Sequence, residues 1–62
     1  MLKIGQIINI ELITYDYNGE VWRHREIAVV INETNKKYIL YTQFGQTVDI
    51  NKQHQYNFEI LT

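Results

Sequence analysis

Apolar and polar residues alternate with a period of two along most of this chain, which predicts β-strands. Ile8, Ile10 and Leu12 share one face of a first strand over residues 7–15, with polar side chains between them. No segment has the 3.6-residue period of a helix. The same alternation, in β-branched and aromatic residues, predicts four further strands, over residues 20–31, 37–44, 47–50 and 56–61.

An Asn-Gly pair joins the first two predicted strands. Asn18 and Gly19 both tolerate positive φ, so the pair predicts a type I′ turn and a tight hairpin. Gly45 follows the third strand and marks a second bend, where positive φ is again expected.

The second predicted strand contains a mismatch between its two halves. Every second residue from Ile27 onwards is assigned to the core face, but the same face, extended backwards, would hold Arg23 and leave Trp22 on the other side. A β-bulge between Arg23 and Glu26 would return Trp22 to the core and the arginines to solvent. Partial cover of both faces is the alternative.

Five short strands in a chain of 62 residues predict one small all-β domain, a twisted five-stranded SH3-like barrel. A truncated OB-like barrel is the alternative, although that fold usually needs a longer chain and a helix. A domain of this size buries only about 60% of the surface that its unfolded chain exposes, so stability depends on a compact apolar core or on a partner. The predicted core consists of Ile8, Ile10, Leu12, Ile27, Val29, Ile31, Ile39 or Leu40, Val48, Ile50, Phe58 and Ile60.

The amino-acid composition argues against several classes of function. Six basic and seven acidic residues give a net charge of −1, which is a poor footprint for non-specific nucleic-acid binding. Cysteine and serine are absent, so neither disulfides nor the usual nucleophile triads are available. The first residues lack the features of a signal peptide, and no apolar run approaches the ~20 residues that span a bilayer. These features predict a cytoplasmic protein that contacts no membrane.

The stretch YDYNGEVWRHRE, residues 15–26, carries the candidate ligand-binding residues: Tyr15, Tyr17, Trp22, Arg23 and Arg25. Aromatic rings with interleaved arginines can stack on bases and bind phosphates. The same residues also have a purely structural interpretation, in which the tryptophan is a core aromatic, the tyrosines cap the barrel edge and the arginines pair with carboxylates. The carboxylates in that interpretation are Asp16, Glu20 and Glu26.

Histidines and glycines offer little further chemistry. His24 and His54 are the only imidazoles, and no spacing typical of metal ligands joins them to Asp16, Glu26 or Asp49. The three glycines are isolated, so no glycine-rich phosphate loop exists. We therefore expect two surface histidines, no metal site, no cofactor and no catalysis within this chain.

The run IGQIINIELITYDYNGEVWRHREIAVVI resembles the start of FomD-like proteins, a family of cytoplasmic nucleoside-diphosphate phosphatases. In that family an early glycine leads into a strand, then a Tyr-x-x-x-Gly hairpin, then an aromatic and basic strand that becomes aliphatic. Those features fall here on Gly5 and on residues 15–19, 22–25 and 28–31, within a similarity over residues 4–50. The family's metal-binding carboxylates lie downstream of such a hairpin and have no counterpart here, so no catalytic residue is carried over. The resemblance implies a barrel that contacts a nucleotide or a nucleic acid.

These features predict a non-catalytic interaction module. The favoured function is protein binding through the hairpin at residues 15–26 or through an edge strand. The alternative is binding of single-stranded nucleic acid or a nucleotide by the same aromatic and arginine residues. The third strand, KYILYTQF, has an uncharged interior, and the chain has no proline. Pairing through an exposed strand edge, as a homodimer or with another protein, is therefore expected.

Overall fold

Five antiparallel strands in a single sheet make up the computed structural model, which describes residues 1–62. Their order across the sheet is β4-β3-β2-β1-β5, so β1 to β4 follow one another in hairpins and β5 returns to pair with β1. This arrangement confirms the prediction of a small all-β, five-stranded, barrel-like domain, and it has neither the helix nor the Greek-key crossing of an OB fold. No helix capable of crossing a membrane is present. The strands are β1 (Ile7–Tyr15), β2 (Val21–Glu33), β3 (Lys37–Thr42), β4 (Thr47–Asn51) and β5 (Phe58–Ile60).

The sheet does not close into a complete barrel, and β4 and β5 are its two edges. The third strand, expected to offer an exposed edge, is instead paired on both sides, with β2 and with β4. That expectation is wrong because β3 lies inside the meander, where both rows of its backbone groups are used. The exposed edges lie on β4, on β5 and where a strand extends beyond its neighbour.

The hydrophobic core lies on one face of the sheet, called here the core face; the opposite face is called the outer face. Directly paired residues project from the same face. Ile8 is paired with Ala28, and Val30 with Leu40, and these pairs form the centre of the core face. Burial of each larger aliphatic side chain contributes about 1.5–3 kcal/mol. The buried apolar residues are Leu2, Ile8, Ile10, Leu12, Ala28, Val30, Tyr38, Leu40 and Ile50.

The predicted buried face of β2 is wrong. Its buried apolar side chains are those of Ala28 and Val30, because Ala28 is paired with Ile8 of the core. Aliphatic residues occupy every position over residues 27–31, so both faces have the same character and alternation alone could not select the buried one. The residues wrongly assigned to the core are Ile27 and Val29, which project from the outer face, and Ile31, which is exposed at the register shift.

The bulge expected between Arg23 and Glu26 is absent. β1 and β2 are paired without interruption along the whole of β1, and the register shift in β2 lies instead between Val30 and Asn32, in its pairing with β3. Trp22 is on the core face by register, but it lies beyond the last core residue and is 57% exposed. The structural interpretation of Trp22 as a core aromatic is therefore wrong.

The C-terminal strand contributes less to the core than predicted. Phe58 and Ile60 are exposed, because β5 has three residues and no strand lies beyond it. Leu2 and Tyr38 are buried although they were not predicted to be. Of the two alternatives in β3, Leu40 is buried and Ile39 is only partly buried. Residues that precede the first strand carry no alternation, so the sequence gives no signal for Leu2.

The first turn differs in type from the prediction. Gly19 has a φ of +81°, but no residue other than glycine has positive φ, so Asn18 does not adopt the type I′ conformation. The N–H of Asp16 donates to the carbonyl of Glu20, and the N–H of Gly19 donates to the carbonyl of Asp16. This is a three-residue loop ending in a left-handed glycine, the next most common way to close a hairpin. The positive φ expected at Gly45 is confirmed, at +78°.

Candidate functional site

The first hairpin extends beyond the strands that flank it. β5 pairs with β1 only over residues 8–10, and β3 pairs with β2 only from Ala28 onwards. Residues 12–25, called here the arm, therefore form a two-stranded ribbon whose strands are paired only with each other. Two-stranded ribbons have little stability of their own, so the arm depends on its turn and on its attachment to the sheet.

Three aromatic side chains of the arm are exposed to solvent. Tyr17 is 98% exposed, Tyr15 71% and Trp22 57%. Ile13 and Val21 add two further exposed apolar side chains. Clusters of exposed apolar side chains mark sites of association, and tyrosine and tryptophan are enriched among the residues that dominate binding energy. The arm is therefore the strongest candidate for an interaction surface.

Strand alternation distributes the five predicted site residues over two faces and a turn. Tyr15, Arg23 and Arg25 project from the outer face, Trp22 from the core face, and Tyr17 lies in the turn. The structure thus brings one tyrosine together with the two arginines and separates Trp22 from them. The five residues do not form a single surface for stacking bases and binding phosphates.

The arginines have a different carboxylate partner from those predicted. Arg23 Nη1 lies 3.8 Å from Glu11 Oε1 on the neighbouring strand, and Arg25 has no ion pair. Both arginines are exposed, so this contact contributes little to stability. The carboxylates of the structural interpretation, Asp16, Glu20 and Glu26, make no ion pair with either arginine.

Asp16 fixes the turn of the arm and the position of Trp22. Its Oδ1 accepts hydrogen bonds from the backbone N–H groups of Asn18, at 2.8 Å, and Glu20, at 3.0 Å. Its Oδ2 accepts from Trp22 Nε1 at 3.4 Å. These bonds, chiefly the one from the Glu20 N–H, lower the pKa of Asp16 below its ordinary value of 3.8, against a smaller opposing effect of desolvation.

Replacement of Asp16 by alanine is expected to loosen the arm and leave the core intact. Hydrogen exchange of the backbone N–H groups over residues 14–22 should accelerate at pH 7, because the turn loses two acceptors, while exchange at Ile10 stays unchanged. Glu20→Ala removes an equal charge that makes no side-chain hydrogen bond and is the matched control.

The effect of Asp16 should depend on pH with a defined sign. Because its pKa is lower in the folded protein than in the unfolded chain, the stabilisation is present above the ordinary value of 3.8 and is lost as pH falls through the folded pKa. The exchange rates of the wild-type and Asp16→Ala arms should therefore converge in acid. Equal rates at pH 7, or a difference that grows on acidification, would contradict this role.

Basic residues elsewhere do not extend the arginine pair. Lys36, Lys37 and Lys52 lie at the far end of β2 from the arm, where the backbone N–H of Lys52 donates to the carbonyl of Lys36. Lys52 Nζ lies 2.5 Å from Glu33 Oε2, and Lys37 Nζ lies 3.8 Å from Asp49 Oδ2. The lysines thus form no continuous positive surface with the arginines.

One titratable pair is largely buried. Glu26 is 5% exposed on the core face, opposite Ile10, and its Oε2 lies 2.5 Å from Nε2 of the partly buried His24. The other oxygen, Oε1, is buried without a hydrogen-bond partner. Sequence reasoning missed this pair because it placed Glu26 next to a bulge; alternation continued from Ala28 would have put it on the buried face. No group of three or more His, Cys, Asp or Glu side chains lies together elsewhere.

A cleft of about 850 Å³ lies between the arm and β4. Leu12 of β1 and Val48 and Ile50 of β4 line it together with Tyr56, which shows that the sheet curves until these two strands face each other. The polar residues of its lining include Arg23, Asp49 and His54, together with Gln53, Gln55 and Asn57. The cleft depends on the curvature of the whole sheet, so no local sequence signal predicts it.

No family model, curated protein or solved structure matches this chain. The resemblance of residues 4–50 to FomD-like proteins therefore stays a prediction from the sequence.

Proposed function

We propose that this protein is a non-catalytic protein-binding module that engages its partner through the hairpin at residues 15–26. The observation that carries the proposal is the exposure of Tyr15, Tyr17 and Trp22 on a ribbon held by Asp16. The rings have few rotatable bonds, and the turn restrains Trp22 further, so a partner that covers them loses little conformational entropy.

The distribution of charge favours a protein partner over a nucleic acid. Arg23 lies beside Glu11, the lysines are at the far end of β2, and the whole chain carries a net charge of −1. Affinity for a polyanion depends on neutralising several phosphates, and steering toward it depends on the overall field. Two arginines beside a carboxylate neutralise few phosphates, and a net negative charge does not steer the chain toward a polyanion.

The buried carboxylate also fits a binding role better than a catalytic one. Glu26 is held against His24 on the core face and does not line the cleft beside the arm. A general acid or base must lie within hydrogen-bond reach of the proton that it transfers. The position of Glu26 therefore gives it no route to a molecule bound in that cleft.

The test is site-specific photo-crosslinking in the organism that makes this protein. A photoreactive phenylalanine derivative replaces Tyr17 in the full chain, and the same group at Asn35, in the exposed loop at the opposite end of β2, is the control. A protein crosslinked from position 17 but not from position 35 is then purified and its affinity for the unmodified chain is measured.

We expect Trp22→Ala and Tyr17→Ala each to weaken that complex at least ~10-fold, as truncation of an interfacial aromatic does. Phe44→Ala removes an exposed aromatic outside the arm and should change the affinity less than ~2-fold. Absence of a crosslink specific to position 17, or equal losses for the three variants, would contradict the proposal.

The nucleic-acid alternative is tested separately by NMR titration with a short single-stranded RNA and with a nucleotide mixture. We expect no shifts at residues 15–26 in either titration. Saturable shifts there, with a log-affinity that falls steeply with log-salt, would replace protein binding by nucleic-acid binding.

A further inference from the structure

We propose that the cleft between the arm and β4 binds an extended segment of the partner protein, which adds to the open edge of β1 as a sixth strand. This inference rests on the proposed function and names the conformation and chemistry of the bound segment. Three observations carry it: an open edge on each wall of the cleft, and an apolar floor between them.

The first wall is the edge of β1 beyond the end of β5. The N–H of Glu11 donates to the carbonyl of Asn57, and the carbonyl of Ile7 accepts from Leu61, so odd-numbered residues of β1 point their backbone groups away from β2. Ile13 and Tyr15 continue this series where β5 no longer lies alongside. Their N–H and C=O groups form an unpaired edge, and both residues line the cleft.

The second wall is the outer edge of β4. The N–H of Thr42 donates to the carbonyl of Gln46, so even-numbered residues of this strand point their backbone groups toward β3. Thr47 and Asp49 therefore point theirs away from the sheet, and Asp49 lines the cleft. Only a peptide backbone presents donors and acceptors at the spacing that these edges share.

The floor of the cleft sets the side chains of the bound segment. Leu12, Val48, Ile50 and Tyr56 lie on its inner side, and all four are buried or partly buried. Tyr15, Arg23 and Asp49 lie toward the outer face. Because successive residues of a strand project from opposite faces, the segment should alternate aliphatic side chains inward with polar ones outward.

The experiment uses chemically synthesised full-length chains with one backbone N–H replaced by N-methyl. N-methylation of Ile13 removes a donor from the β1 edge. N-methylation of Ile60, the control, removes a donor from the outer edge of β5, where the even-numbered residues point their backbone groups away from β1. Neither N–H makes a hydrogen bond within the protein, so each variant should keep the wild-type NMR spectrum outside the strand that carries the methyl group.

The probe is a displayed library of random nine-residue linear peptides, selected against the unmodified full chain. We expect selected peptides with alternating aliphatic residues, whose affinity falls at least ~10-fold on N-methylation of Ile13 and less than ~2-fold on N-methylation of Ile60. Such a loss corresponds to the removal of a well-formed interfacial contact. Titration should shift the amide signals of Ile13, Tyr15 and Asp49.

Three results would overturn strand addition. The first is a selection that yields no binding peptide, and the second is peptide binding that is insensitive to methylation of Ile13. The third is self-association by sedimentation that N-methyl-Ile13 abolishes, which would assign the cleft to a second copy. The proposed function fails independently, because its own test is a crosslink at Tyr17 and the loss of affinity in Trp22→Ala. A partner that crosslinks at position 17 and loses affinity in Trp22→Ala, but binds the N-methyl-Ile13 chain as tightly as the unmodified chain, would bind the arm without adding a strand.

Discussion

Replacement of Leu40 by alanine is expected to lower the free energy of unfolding by about 3–4 kcal/mol. Leu40 is completely buried at the centre of the core, paired with Val30 on one side and Val48 on the other. The loss combines the transfer energy of the missing side-chain atoms with the cost of a cavity that a rigid sheet cannot fill. A domain of this size has a total stability of about 3–9 kcal/mol, so the variant should lose between about a third and all of its stability.

Urea denaturation followed by tryptophan fluorescence and by circular dichroism measures this difference. The control is Ile27→Ala, which removes an aliphatic side chain of similar size from the outer face and should cost no more than about 1 kcal/mol. The comparison also tests the orientation of β2. A larger loss at Ile27 than at Leu40 would show that the outer face is the buried one.

The second large effect is expected at the buried pair of β2. His24→Ala should destabilise the protein by about 3 kcal/mol, because it leaves a buried carboxylate with no hydrogen-bond partner. Glu26 Oε2 has His24 as its only partner, and Oε1 has none. Thermal and urea unfolding at pH 7 measure the loss, and Arg25→Ala, on the exposed outer face of the same strand, should stay within about 0.5 kcal/mol of wild type.

The double variant identifies the cause. Glu26→Met replaces the carboxylate by an apolar side chain of similar length, so His24→Ala in that background should cost less than about 1 kcal/mol. Equal losses in both backgrounds would show that His24 acts by packing alone. A loss below about 0.5 kcal/mol in the wild-type background would show that the pair contributes nothing.

Much of the fold could be predicted from the sequence because strand periodicity and turn residues are local signals. The bounds of β1, the number of strands and the left-handed bend at Gly45 all follow from such signals. The buried face of β2 does not, because Ala28 is small and Glu26 is charged, whereas their neighbours on the outer face are strongly aliphatic. The buried face of β2 is decided by its register with β1, which depends on how the two strands pack together and not on the local sequence.

The sequence indicated the exposure of the candidate residues better than their arrangement in space. The aromatic and arginine residues lie on an exposed hairpin, as their clustering in the sequence suggested. Their division between faces follows from strand alternation, once the bulge that would have changed it is known to be absent. The cleft and its two open edges arise where strands of unequal length end, and residues 53–57 that border it carry no motif.

The pairing of β5 with β1 has a consequence for the order of folding. Strands β1 to β4 each pair with their neighbours in sequence, whereas β5 pairs with β1 through residues as far apart in the sequence as Ile8 and Ile60. Closing a loop of about 50 residues costs more entropy than closing a hairpin, and only three positions of β5 offset that cost. The C-terminal strand is therefore the natural last step of folding and the first element to detach, and its brief release would extend the open edge of β1 from Ile13 toward Ile7.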